Sequence, residues 1–511
     1  RHLPNSCFVA IPKAKPPRFT ILSFYIQKNH QNQEQEEPTN FKKMEEFKVD
    51  KWGYQVKTSS DSCISAINSY YHQVLSYGRE RSVILEAPKQ DPTCVLANIL
   101  AAHFLCSADS SCAMLLLEAA KSCLEQASLY EKVVFEAVSY LILPNRDDDV
   151  AVELHLKLLK DFPRDLVTLK RAQVLSFYMG RPDLSLKLVE QVLPVNKHES
   201  YIYGMLAFAL LELGRYVEAK EAAKKGFEID SEDAWTHHAL CHVYQYECRF
   251  KEAVQFMEEC SRTWSSLSSF MYTHNWWHVA LCYMEGHSPM EKVRDVYDQN
   301  IWKELERIDA SPSEVYLNAV GLLLRVYLRG GINIFGDRLK ILADRLTDKA
   351  FWYLEWHLDV LVLWALSCTG EVSKAEELLE GLKYRISAMT KKKREYMQRA
   401  VLLAEALFEY GKGENERPLE LLGQTFDAID YKIIGASDEQ LDVFNEVWIT
   451  MLLNSGQATK AIEAIEKQLK KREGTPFLWR LLEKGYSSLS RNQEAIEAGK
   501  KAQSLEGAYF N

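Results

Sequence analysis

Two short segments stand out for the chemistry their side chains could do: His238-Ala-Leu-Cys-His242 and His274-Asn-Trp-Trp-His278. Histidines four positions apart share one face of a helix, and the two pairs are offset by 36 residues, so they occupy similar places on neighbouring helical hairpins. Four imidazoles can then converge. Helix-borne metal sites use this spacing, and imidazole is a good ligand for Zn, Cu, Fe and Ni. The first pair lacks, however, the Glu after its first His that zinc proteases use as general base, and no carboxylate falls in register to complete a facial triad. Three readings stay open for His238, His242, His274 and His278. They could bind zinc or another transition metal. They could do acid/base work with no cofactor, because crowding pushes some imidazoles to lower pKa than others. They could bind an anionic or aromatic group by hydrogen bonding and stacking, which asks least of the sequence. Against all three stands packing: one interior histidine is most often a hydrogen-bonded structural residue, and Trp235, Trp276 and Trp277 are typical packing aromatics.

The elements that must position these residues repeat. Tyr203 to Asp230 carries apolar residues at helical spacing, a Gly-Arg-Tyr turn, and a second helix with small residues at Ala219, Ala223 and Gly226. This is a tetratricopeptide hairpin, and the small residues are needed where helices approach closely. A similar unit precedes it, turning at Gly180-Arg181-Pro182-Asp183, and another follows, turning at Cys248-Arg249-Phe250. The clearest repeats are assigned to 131–163, 165–197, 199–232, 233–262, 270–300, 441–471 and 475–505. The helices between 314 and 410 are long and apolar but carry the small-residue code faintly. No alternating strand pattern of any length appears, so the expected fold is all-α, a tetratricopeptide-type α-solenoid over 44–511 that curls into a superhelix, horseshoe or ring.

Repeat register sets where the histidines point. With Gly214, Tyr216 and Ala219 at positions 15, 17 and 20 of a unit, His238 and His242 fall at positions 5 and 9 of the next. His274 and His278 take the same positions one unit later if the connecting loop carries about two extra residues. In tetratricopeptide domains these positions face the concave groove, so the expected site is a groove floor.

Asp233-Ala-Trp-Thr-His-His-Ala-Leu-Cys-His242, His274-Asn-Trp-Trp-His278, Tyr297-Asp298, Leu354-Glu-Trp-His357 and Asp442-Val-Phe-Asn445 together resemble the tetratricopeptide repeat protein 38 family, from about Met44 to the end. The resemblance implies a helical-repeat protein marked by His238, His242, His274, His278 and His357, with His237 as an extra. It leaves the biochemistry undefined. A closed horseshoe would bring His357 and Asp442 to the same cavity, with Asp442 orienting an imidazole.

Composition bounds the partners. A net charge of −9 over 511 residues and a pI near 5.9 give no basic footprint for nucleic acid or an acidic membrane. Eleven scattered cysteines without a CxxC pair fit reduced thiols in a cytoplasmic protein. No apolar run reaches the roughly 20 residues of a membrane span. Residues 1–43 are basic and then polar, which fits a disordered leader, or one added for expression, better than organelle targeting. The basic run Lys391 to Arg394 and the acidic run Asp147 to Asp149 are read as a solvated helix start and a helix cap. The expected function is binding of a peptide or small molecule in the groove, with Trp235, His238, His242, His274, Trp277, His278 and His357 as contacts. The alternative is a small-molecule enzyme using the four histidines, with Asp442 orienting. Oligomeric state is not legible.

Overall fold

The computed structural model describes residues 46–144 and 146–510; the leader expected at 1–43 lies outside them. Contacts divide the described residues into two compact units, one comprising 46–71 and 80–143, the other 72–79 and the chain from 144 onward. The dividing point falls between the two helices of the repeat assigned to 131–163.

The smaller unit begins with two three-residue strands, β1 (Phe47–Val49) and β2 (Gln55–Lys57), paired antiparallel. They were not foreseen, because three residues are too few to display alternation. The turn between them is held by Asp50, whose carboxylate accepts from the backbone of Trp52 and Tyr54. Helices α1 (Asp61–Leu75), α2 (Ala87–Gln90), α3 (Val95–Leu105), α4 (Ser110–Ser122) and α5 (Leu129–Ile142) follow. Buried Glu131 ties the unit together by accepting from the backbone N–H groups of Lys57, Leu96 and Ser128. Three donors for one buried carboxylate offset its desolvation.

The larger unit is an array of helical hairpins. A lone helix α6 (Asp148–Asp161) leads to α7 (Leu166–Tyr178) with α8 (Pro182–Val192), α9 (Ser200–Glu212) with α10 (Tyr216–Ile229), α11 (Ala234–Tyr246) with α12 (Phe250–Cys260), and α13 (Ser269–Glu285) with α14 (Met290–Val296). Then come α15 (Pro312–Leu328), short α16 (Ile332–Phe335) and α17 (Arg338–Leu346), α18 (Trp356–Cys368) with α19 (Val372–Ser387), and α20 (Lys391–Gly411) with α21 (Glu416–Leu422). The unit ends in α22 (Asp438–Asn454) with α23 (Ala458–Leu469), and α24 (Pro476–Ser488) with α25 (Asn492–Glu506). This unit is an all-α solenoid of tetratricopeptide type. Its turns are made possible by residues with positive φ, such as Gly214 at +73° between α9 and α10. Gly226 shows why small residues recur: a Cβ there would stand 2.8 Å from Thr236 Oγ1 and 3.1 Å from Tyr203 Cβ.

Elements far apart in sequence meet within this unit. Helix α22 packs on α15. Arg329 of α15, 6 % exposed at its side chain, pairs with both Glu285 of α13 and Glu446 of α22. At the surface, Lys392 and Lys393 pair with Asp149 and Asp148, so the basic and acidic runs read separately in the sequence face each other. Exposed as they are, such pairs add little to stability. Among the described residues, no helix is long and apolar enough to cross a membrane.

Candidate functional site

Helix α11 starts where Asp233 accepts from Trp235 N and Thr236 Oγ1, each at 3.0 Å, and this cap sets the rotation of the turns that follow. His238 and His242 then point to one side of α11. His237 points to the other: its Nε2 donates to Ser231 O at 2.7 Å, and its Nδ1 accepts from Trp264 Nε1 at 3.2 Å. It is a satisfied structural histidine.

His238, His242, His274 and His278 converge. Ring centroids of His238 lie 4.4 Å from His242, 5.0 Å from His274 and 4.7 Å from His278; those of His242 and His278 are 4.5 Å apart. None exceeds 5 % exposure. The four rings are thus enclosed, and Glu439 of α22 reaches the imidazoles of His242 and His278. Register assigned the right helix face but could not show that a distant helix covers it.

Glu439 Oε2 accepts from His242 Nδ1 at 3.1 Å and lies 3.3 Å from His278 Nδ1. With Nδ1 of His242 carrying the proton, its Nε2 has a lone pair, and His238 Nε2 donates to it at 2.8 Å. His274 Nδ1 donates to Asn318 Oδ1 at 2.8 Å, the amide being oriented because its nitrogen donates to Thr273 Oγ1 and Glu314 O. Gln245 decides the state of His278. Its amide lies 2.7 Å from His278 Nδ1. With the amide nitrogen inward it donates to that atom and to Glu439, and the imidazole proton sits on Nε2. With the oxygen inward, Nδ1 carries the proton and Nε2 offers a lone pair. His278 Nε2 has no hydrogen-bond partner.

Burial dominates the electrostatics. It pulls His238 and His278 well below the ordinary histidine pKa, with neighbouring imidazoles adding to the effect, and takes His274 to about 4. These rings are neutral at pH 7, which is the state that ligates metals or accepts protons.

The aromatic contacts expected from the sequence sit at the edges. Trp235 stacks on His238 at 4.6 Å with the planes 6° apart, and Lys170 Nζ lies 4.5 Å over its ring. Trp277 stacks on His274 at 5.3 Å, with the Arg325 guanidinium 5.0 Å from its other side. His357 is buried, with Nδ1 unpartnered and its pKa lowered to about 3 by burial, Arg325 and His274. Its nearest ring contact is Phe444 at 6.3 Å, so it stands beside the cluster rather than within it.

Glu439, and not Asp442, is the carboxylate in contact with His242 and His278. Asp442 pairs instead with Arg472 at 3.1 Å. Glu439 was missed because it looks like an acid in the first turn of α22, favoured there by the helix dipole, behind a Ser437–Gln440 capping box. The nearest signal was the Asp442-Val-Phe-Asn445 mark on the same helix.

A pocket of about 50 Å³ opens on one edge of the cluster, lined by His242 and Glu439 together with Leu211, Glu212, Tyr216, Tyr246, Asp427, Asp438, Asp442, Lys471 and Arg472 among others. Carboxylates outnumber cations in that lining, with Glu212 and Asp438 paired to Lys432, Asp427 to Lys467 and Asp442 to Arg472. Asp438 is raised to about 8 by burial and by Glu212, and burial also raises Asp442.

No protein-family model matches the chain. Solved structures similar to it include the human IFIT1 dimer with m7Gppp-AAAA, at 14% identity and TM-score 0.36, covering 88% of this chain and 91% of that one. The P58(IPK) TPR domain is similar at 13% identity and TM-score 0.20, covering 74% and 93%. The complex of Naa15/Naa10 bound to HypK-THB matches at 13% identity and TM-score 0.23, covering 87% and 64%. Likenesses this distant say nothing about the ligand of this chain.

Proposed function

We propose that the larger unit is a helical-repeat binding module that takes the positively charged or hydrogen-bond-donating head of a small molecule in the pocket beside His242 and Glu439. One observation carries this reading: the histidine cluster is covered by α22 and is approached through a small acidic pocket rather than an open groove. A long groove would suit an extended peptide; about 50 Å³, room for a few water-sized groups at roughly 10–15 Å³ each on this measure, suits an amine or guanidine head. The stacked rings of Tyr216 and Tyr246 supply an apolar wall for the carbon next to that head. The resemblance to the tetratricopeptide repeat protein 38 family belongs with this reading, because its marks fall on the cluster behind the pocket.

A second reading is favoured by the Glu439–His242 pair. A carboxylate 3.1 Å from Nδ1 is how an imidazole is oriented and strengthened as a base. This supports an enzyme acting on the bound molecule.

The binding reading is tested by thermal melting with agmatine, spermidine and ornithine as probes. A saturating probe is expected to raise the melting temperature of the native chain through preferential binding to the folded state, and Asp442→Asn is expected to abolish that rise. Equal shifts in both proteins, or none in either, would rule out the pocket as the site.

A further inference from the structure

Hydrogen bonding alone leaves the centre of the histidine cluster incomplete. Candidate ligand atoms of His238, His242 and His278 all lie within 4.8 Å of one another. One pair of nitrogens shares a single proton at 2.8 Å, and His278 Nε2 has nothing to bond to although the residue is fully buried. Leaving a buried polar atom unpaired in this way is costly.

We propose that His238, His242 and His278 bind one divalent transition-metal ion, zinc foremost, through their Nε2 atoms. This goes beyond the pocket reading and stands on the cluster itself. Three neutral imidazoles from two rigid helices form a donor set suited to Zn²⁺ and, with lower affinity, Co²⁺. The outer contacts fit for His242 and His278, while His238 Nδ1 has no partner. Metal-bound histidines donate their other N–H to a carboxylate or carbonyl, and Glu439 Oε2 lies 3.1 Å from His242 Nδ1 and 3.3 Å from His278 Nδ1. With its nitrogen inward Gln245 donates to His278 Nδ1 and to Glu439, so ion binding requires this amide to turn its oxygen to His278 Nδ1, 2.7 Å away, and leave the lone pair on Nε2.

The geometry also states what must move. Zinc–nitrogen bonds of about 2.0–2.1 Å at a tetrahedral ion set nitrogens roughly 3.3–3.4 Å apart. The His238–His242 pair therefore opens by about half an ångström on binding, within reach of small χ rotations. His274 stands at the side with its Nδ1 bound to Asn318 and is outside the three. Three protein ligands leave a fourth position for a small molecule, and the pocket at His242 provides an approach to it.

The test uses the full chain without an affinity tag, stripped with chelator and titrated with Co²⁺ and then Zn²⁺. We expect one equivalent bound, with visible cobalt bands displaced by Zn²⁺, and X-ray absorption of the zinc form showing three imidazoles. His278→Gln is expected to lower Zn²⁺ affinity at least 100-fold and Glu439→Gln 10- to 100-fold. Uptake below about a tenth of an equivalent by the unmodified chain, or an absorption spectrum without imidazole scattering, overturns the proposal. Because that spectrum is taken on the unmodified chain, poor folding of a variant does not protect the proposal. Zinc binding with no response to the amine probes would separate this site from the pocket reading.

Discussion

Glu439 Oε2 lies 3.1 Å from His242 Nδ1, which joins a carboxylate in the first turn of α22 to an imidazole on α11. Glu439→Gln keeps the shape and removes the charge. Burying two imidazoles against a neutral amide instead of a carboxylate is expected to cost about 1–3 kcal/mol. Urea unfolding checks this, and an unchanged midpoint would mean that the contact carries no stability.

Glu355 and His357, two residues apart at the start of α18, should give opposite pH dependences. Burial lowers His357 to about 3, so in the folded chain it stays neutral while the unfolded chain takes up a proton below about 6.5. Its contribution is present above that pH and is lost as pH falls toward 3. Burial, with Glu314 and Asp359, raises Glu355 to about 8. Its contribution is complete below about 4.5 and is lost as pH rises through 8. His357→Gln should therefore flatten the acid side of the stability–pH curve, and Glu355→Gln the alkaline side. Urea midpoints from pH 5 to pH 9 decide the matter; a variant whose curve parallels the native one refutes its half.

Gly226→Ala inserts a methyl where Thr236 Oγ1 is 2.8 Å and Tyr203 Cβ 3.1 Å away. Overpacking there should cost about 1–3 kcal/mol, against the gain of about 1 kcal/mol that alanine usually brings to a helix. A net rise in stability would show that α10 and α11 can separate freely.

Arg329→Met leaves Glu285 and Glu446 buried without their shared cation. Removing one partner of such a pair costs about 3–5 kcal/mol, and since Arg329 links α13, α15 and α22, the loss should appear as earlier release of α22 in hydrogen exchange. Uniform exchange across the unit would argue against a local clamp.

The legible and the hidden parts of this protein divide by range. Turns such as Gly214-Arg215-Tyr216 and small residues such as Gly226 announce hairpins because their constraints act between neighbours in sequence. The HxxxH pairs announced a shared helix face for the same reason. Nothing local near Glu439 distinguishes it from any acid at a helix start, and nothing near His238 foretells that α22 will cover it. Asp442 was named because it belongs to a recognisable mark; its partner proved to be Arg472. His237 and His238, adjacent in sequence, part company through helix rotation. Only Ser231 O and Trp264 Nε1 reveal which of them is structural.

The covering of α11 and α13 by α22 also orders events in time. A ribosome adding about 5–20 residues per second releases the four histidines on the order of ten seconds before Glu439 emerges. During that interval neither HxxxH pair has its Glu439 contact, and the site is completed only as the last hairpins are made.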